Sequence, residues 1–195
     1  EHNWFADMPN PLAQKLIAKL NGGERILEIG CGNGRDSRYF ALNGFNVVAT
    51  DFSEVAVAKS SETNNYENLQ FSVLDVRNPL PFADAEFDVM YSSLALHYFT
   101  DEQTHSIFKE LRRVLKPGGL FVFGCKSYDE IRMKEATVIS KDIYVDPNGH
   151  VLHAFSMDFV RDLVDGLFDI VTLEEKEEVY GGRTSTVVSC IARAI

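Results

Sequence analysis

Ten consecutive residues, Arg25-Ile26-Leu27-Glu28-Ile29-Gly30-Cys31-Gly32-Asn33-Gly34, constrain the fold of this chain more than any other segment. An apolar run of strand length passes directly into three alternate glycines, and a helix-period segment follows to Asn43 and Gly44. Glycine lets a backbone approach a ligand with no Cβ in the way, and a strand-to-helix junction points free N–H groups into the crevice above the sheet. A strand of a parallel sheet feeding a nucleotide-like site is implied.

From Arg25 onward short apolar runs alternate with helix-period segments, the pattern of a parallel sheet with helices on both faces. Strands are expected at 26–29, 46–50, 70–74, 88–91, 119–124, 170–173 and 184–192. The segment 101–115 places Ile107, Phe108, Leu111, Val114 and Leu115 on one helical face, and Thr100 with Gln103 forms a capping box. Lys116-Pro117-Gly118-Gly119 stops that helix. Ser156 reads as the N-cap of a further helix. Residues 126–155 are too long for a simple connection; 137–145, the turn Asp146-Pro147-Asn148-Gly149, and 150–155 read as a β-hairpin. Such an insertion at the carboxyl edge of the sheet suits a substrate lid. One α/β domain over 1–195 is expected.

Composition narrows the partners. A net charge of −10 repels phosphate backbones and no local run of Lys or Arg offsets it, so nucleic-acid binding is not expected. Cys31, Cys125 and Cys190 lie far apart without zinc-ligand spacing, so no metal site is expected and a reducing, cytoplasmic setting fits. No apolar run approaches the roughly 18 to 20 residues of a membrane span. The chain opens at Glu1 rather than Met, and 1–10, with Trp4 and Phe5, is a candidate cover for the site.

About 20 residues beyond the first glycine, Asp51 ends the second strand, where a carboxylate accepts from both hydroxyls of a ribose. Phe52 can cover one face of an adenine, and Asp75 at the end of the third strand can accept from its exocyclic amine. The dinucleotide fingerprint G-x-G-x-x-G fails: its last glycine falls on Arg35 when counted from Gly30 and on Ser37 when counted from Gly32. Instead Glu28-Ile29-Gly30-Cys31-Gly32-Asn33-Gly34, Asp51-Phe52-Ser53 and Leu74-Asp75-Val76 resemble, in order, the first three motifs of the class I S-adenosylmethionine-dependent methyltransferases. Phe87-Asp88-Val89 through Leu96-His97, and Leu111 through Gly119, are similar to that family's fourth-strand region and to its turn before the fifth strand. Gly34-Arg35-Asp36-Ser37 is similar to a tellurite-resistance and thiopurine methyltransferase-like branch.

The resemblance implies a Rossmann-like doubly wound sheet of seven strands, order 3-2-1-4-5-7-6, the last antiparallel. It implies S-adenosylmethionine as cofactor, bound by Glu28, Gly30, Cys31, Gly32, Gly34, Asp51, Phe52, Asp75, Val76 and Ser92, with the backbone of Ser93 and Leu94 near its methionine part. The sulfonium carries its own activation, so alignment and exclusion of water matter more than a covalent intermediate. No catalytic side chain is assigned. His97 is the best-placed titratable group, although its apolar neighbours favour a packing role; His153 and Tyr144 lie in the expected lid, where solvated residues are the commoner case. Arg35 and Arg38 either meet a carboxylate or decorate their helix. Tyr91-Ser92-Ser93-Leu94 stands where N6-adenine and glutamine methyltransferases carry [DN]-P-P-[YF], and the cysteine of cytosine-C5 chemistry is missing, so a small molecule is the expected acceptor. The alternative is a non-catalytic S-adenosylmethionine-binding module that works with a protein partner.

Overall fold

The computed structural model describes residues 8–128, 136–180 and 183–195, so most of the candidate cover at 1–10 lies outside it. Helix α1 (Pro11–Ile17) precedes β1 (Arg25–Ile29), α2 (Arg35–Leu42), β2 (Asn46–Asp51), α3 (Glu54–Thr63), β3 (Leu69–Val73) and β4 (Phe87–Ser93). After a 3₁₀ turn at Leu96–Tyr98 come α4 (Asp101–Val114) and β5 (Leu115–Lys126), then the short strands β6 (Thr137–Ser140), β7 (Ile143–Val145) and β8 (Val151–His153). Helix α5 (Met157–Val164), β9 (Phe168–Tyr180) and β10 (Arg183–Ala194) close the chain.

Seven strands form one sheet in the order β3-β2-β1-β4-β5-β10-β9. Strands β1 to β5 are parallel, and β10 runs antiparallel to both β5 and β9, as the resemblance implied. Side chains alternate across a strand, so a sheet covered on both faces needs apolar residues at every position. Ile26, Val89, Tyr91, Leu120 and Val122 accordingly join Leu12, Leu16 and Phe40 of α1 and α2 in one core. Their neighbours Leu27, Met90, Phe121 and Phe123 join Ile107, Phe108, Leu111, Val160 and Leu163 of α4 and α5 in the other. The capping box at Thr100 and Gln103 is present, and Ser156 caps α5 by accepting the Phe159 N–H. The pairing of β4 with β5 jumps from Phe87–Leu115 to Val89–Leu120, which absorbs the Pro-Gly-Gly turn.

Two expectations need correction. Among its described residues the insertion forms a three-stranded antiparallel sheet rather than a hairpin, because the chain reverses at Lys141-Asp142 inside the segment expected to be one strand. Asp142 makes that turn at φ 65, a left-handed conformation that Asn and Asp tolerate better than most residues, so no glycine marks it. The strand expected at 170–173 extends to Tyr180, through the charged run Glu174-Glu175-Lys176-Glu177-Glu178. Charges suit an edge strand exposed to solvent.

Candidate active site

The sheet's carboxyl edge carries a cavity of about 470 Å³, lined by Ile29, Gly30, Gly32, Asp51, Phe52, Leu74, Asp75, Val76, Arg77, Leu94, Ala95, Tyr98 and Phe99. That volume suits a nucleoside-sized ligand. Its floor is the glycine loop, pinned to β2 by hydrogen bonds from the Gly30 and Cys31 N–H groups to the Thr50 carbonyl at 2.8 and 2.9 Å. Two of the glycines serve different ends. A Cβ on Gly30 would lie 2.2 Å from the Ala95 Cβ, so this glycine admits the chain leaving β4. At Gly32, with φ 54, a Cβ would meet no protein atom within 4 Å, and the open space belongs to the cavity.

Asp51 is set by backbone. Gly32 N–H donates to Oδ2 and Ser53 N–H to Oδ1, each at 2.9 Å, so both oxygens are fixed in direction and each retains a lone pair. A carboxylate held this way at the end of β2 fits a ribose diol. Phe52, 66% exposed, presents an apolar ring at the mouth, and Val76 supplies an apolar wall. Across the cavity Leu94 adopts φ 56 and donates its N–H to the Gly124 carbonyl at 2.8 Å, which turns the chain over Gly30. Strained backbone of this kind recurs at ligand sites.

Four residues assigned to the cofactor support the cavity from behind instead of lining it. The Glu28 side chain is buried and accepts from Ser37 Oγ at 2.5 Å; burial, reinforced by Asp36, pushes its carboxyl up to about 8. Cys31 is buried, and burial raises its thiol, which disfavours a nucleophilic thiolate. Gly34 begins α2, and Ser92 Oγ donates to the Ile29 carbonyl at 3.0 Å. Arg35 and Asp36 are buried together; Asp36 accepts from Arg35 Nε at 3.0 Å, from Tyr91 Oη at 2.8 Å and from the Asn10 N–H at 2.8 Å. Arg38 donates to Asn64 Oδ1 at 3.2 Å.

The insertion meets the cavity rim at Tyr98. His97 is fully buried with its ring against Tyr98. His153, expected in solvent, is 2% exposed between Phe155 and Phe159, and burial lowers its basicity. Tyr144 packs on Leu152 and Ala154 inside the insertion. Sequence reasoning passed over His150. Its ring stands 6.4 Å from that of Tyr98, centroid to centroid, and its Nδ1 is 3.2 Å from Oδ2 of the buried Asp146. Backbone N–H donation from His150, with help from the His150 ring and Asn148, holds the Asp146 carboxyl down at about 2. An ionised Asp146 only accepts, so Nδ1 of His150 is the nitrogen that donates to it, and Nε2 is the ring nitrogen left for another partner. Arg77 was also missed: spacing alone does not show that it reaches back to Asp75.

A doubly wound sheet with a glycine loop after β1, a backbone-fixed carboxylate after β2 and a nucleoside-sized cavity between them defines a nucleoside-binding α/β domain, and the antiparallel β10 between β5 and β9 agrees with the methyltransferase order that the motifs implied. Residues 27–123 match the family described as a methyltransferase domain. Over those residues the chain carries an S-adenosylmethionine-dependent methyltransferase domain, whose cofactor is S-adenosylmethionine. It is 36% identical over 102 residues to an uncharacterized methyltransferase of Synechocystis, covering 52% of this chain and 47% of that protein. It is 27% identical over 180 residues to a tRNA N(3)-cytidine methyltransferase of Gallus gallus, covering 84% of this chain and 48% of that one. The chain thus spans about half the length of these curated relatives. Among solved structures, a methyltransferase of Methanosarcina mazei superposes with a TM-score of 0.81 at 22% identity, covering 93% of this chain and 97% of that one. Among the described residues no helix is long and apolar enough to cross a membrane.

Proposed function

We propose that this chain transfers a methyl group from S-adenosylmethionine to a small-molecule acceptor. The observation that carries the reading is Asp51, whose carboxylate is aimed by two backbone N–H groups at the end of β2, beside the open space over Gly32. On this reading the Gly30 to Gly32 loop, Asp51, Phe52, Asp75 and Val76 hold the nucleoside, and the backbone at Leu94 and Ala95 lies toward the methionine end. When bound, the cofactor supplies a methyl group already activated by its sulfonium. What remains for the protein is to align the acceptor, exclude water and take a proton where the acceptor carries one. The insertion, whose His150 stands beside Tyr98, serves as the acceptor-side lid. His150, oriented by Asp146 and open to solvent, takes that proton in preference to the enclosed His97 and His153.

The relative that acts on tRNA makes the acceptor class a matter for test rather than exclusion. A net charge of −10 and a largely apolar cavity wall support the small-molecule reading. The narrower likeness to the tellurite-resistance and thiopurine branch rests on Gly34-Arg35-Asp36-Ser37, of which Arg35 to Ser37 are buried away from the cavity wall, so these residues support the fold more than a choice of acceptor.

The test is calorimetric titration with S-adenosylhomocysteine and with NAD, followed by transfer of labelled methyl to panels of small amines, thiols and hydroxyl compounds and to tRNA. Asp51→Ala is expected to lose roughly 1.5 to 3 kcal/mol of S-adenosylhomocysteine affinity, the usual range for hydrogen bonds to a charged group. Binding of NAD in preference would overturn the cofactor assignment; transfer to tRNA alone would overturn the acceptor class.

A further inference from the structure

At the nucleoside end of the cavity a single side chain occupies both groups expected to recognise a base. A carboxylate offers about four lone-pair directions. Arg77 meets Asp75 with as many contacts: its backbone N–H and Nε–H reach Oδ1 at 3.0 and 2.8 Å, and Nε–H and an Nη2–H reach Oδ2 at 3.2 and 2.7 Å. The same guanidinium stands 5.3 Å from the centroid of the Phe52 ring. Asp75, Phe52 and Arg77 all line the cavity. Asp51, at the end of the neighbouring strand β2, keeps a lone pair on each oxygen. The ribose acceptor therefore stands ready while the base acceptor is covered.

We propose that Arg77 is a latch on the nucleoside subsite: a 6-amino purine enters by displacing the guanidinium from Asp75 and Phe52. This rests on the cavity being the S-adenosylmethionine site. Chemistry supplies the selectivity. An exocyclic amine gives the Asp75 carboxylate a replacement donor when Arg77 withdraws. A 6-oxo purine brings an acceptor to the position of that amine and offers no replacement there for the guanidinium, while only the Arg77 backbone N–H would remain on Oδ1, so Arg77 stays where it is. The Arg77 and Asp75 side chains are 46% and 24% exposed, so both the ion pair and the guanidinium-ring contact are of the modest, solvated kind, and the latch opens by side-chain rotation with the backbone unmoved.

The experiment titrates the full chain, wild type and Arg77→Ala, with S-adenosylhomocysteine and with S-inosylhomocysteine, its 6-oxo counterpart. Removing the latch is expected to tighten S-adenosylhomocysteine binding about three- to tenfold, the scale of one exposed ion pair plus one exposed cation–π contact. S-inosylhomocysteine gains nothing, so the ratio of the two affinities widens. Arg77→Lys, which keeps the charge without the fork, falls between. Unchanged or weaker S-adenosylhomocysteine binding in Arg77→Ala overturns the latch while leaving the cofactor assignment standing. If neither wild type nor variant binds S-adenosylhomocysteine, both fall.

Discussion

The two halves of the carboxyl edge are built by different means. Over β1 and β2 the site is made of backbone: the glycine loop hangs on the Thr50 carbonyl, Asp51 is aimed by two N–H groups, and Gly30 admits Ala95 at a separation no side chain could share. Beyond β4 it is made of side-chain contacts: β8 lies against the 3₁₀ turn, the His150 ring stands beside Tyr98, and His153 packs between two phenylalanines. Backbone geometry admits few residue types, whereas ring packing admits many. The half over β1 and β2 is thus rigid in its requirements, and the half beyond β4 is free to vary.

The sharpest way to break this contrast is Gly30→Ala. The new Cβ meets Ala95 in a stretch of backbone already at φ 74, so overpacking and left-handed strain add to roughly 2 to 5 kcal/mol. Urea denaturation should show that loss, with S-adenosylhomocysteine binding weakened along with it. A variant as stable as the wild type would mean that the loop has slack the contrast denies.

Glu28 gives the next largest effect. In the fold its carboxyl keeps a proton up to about 8, whereas an ordinary glutamate ionises near 4.5, so between those values the folded chain binds the proton and the unfolded chain does not. Stability then falls as pH rises through that window, by up to about 1.4 kcal/mol per pH unit. Glu28→Gln, which cannot ionise, should flatten the slope between pH 5.5 and 7.5 and leave the variant the more stable chain near pH 8. Parallel denaturation curves for the two chains across that range would show that Glu28 ionises normally.

His150→Ala should have the least effect on the fold. Its ring is more than half exposed, so stability should change by about 0.5 kcal/mol or less, and S-adenosylhomocysteine affinity should stay within about twofold. Transfer to an acceptor that must lose a proton should slow by about a hundredfold or more, with little change for an acceptor already deprotonated. Equal slowing of both would make His150 a contact for the acceptor and not its base.

The same contrast explains what could be read before the fold was known. The places of Asp51, Phe52, Asp75 and Val76 on the cavity wall were legible because all four follow the ends of parallel strands at one edge of the sheet. The two-faced core was legible in unbroken runs such as Val89-Met90-Tyr91, and α4 in its capping box. The third strand of the insertion was hidden because Asp142 turns the chain without a glycine, and the length of β9 because an edge strand tolerates Glu174 to Glu178. Glu28, Cys31, Gly34 and Ser92 sit in the right motifs, yet their contacts run into the protein, a distinction set by side-chain direction and depth rather than by order along the chain. His150 and Arg77 act through partners that only folding brings near.

One residue outside the motifs determines how far the domain can be trimmed. Asn10 caps α1 through the Leu12 N–H, gives its own N–H to Asp36, and donates from Nδ2 to Ser93 Oγ, so it ties the start of the described chain to α2 and to the exit of β4. The family match begins at residue 27, but a fragment cut there would strip Leu12, Ala13 and Leu16 from the β5 side of the sheet and leave a buried aspartate short of a donor. The unit that shares a sequence pattern with its relatives is therefore smaller than the unit that holds itself together, and an expression fragment drawn to the pattern's limits would inherit an exposed apolar face.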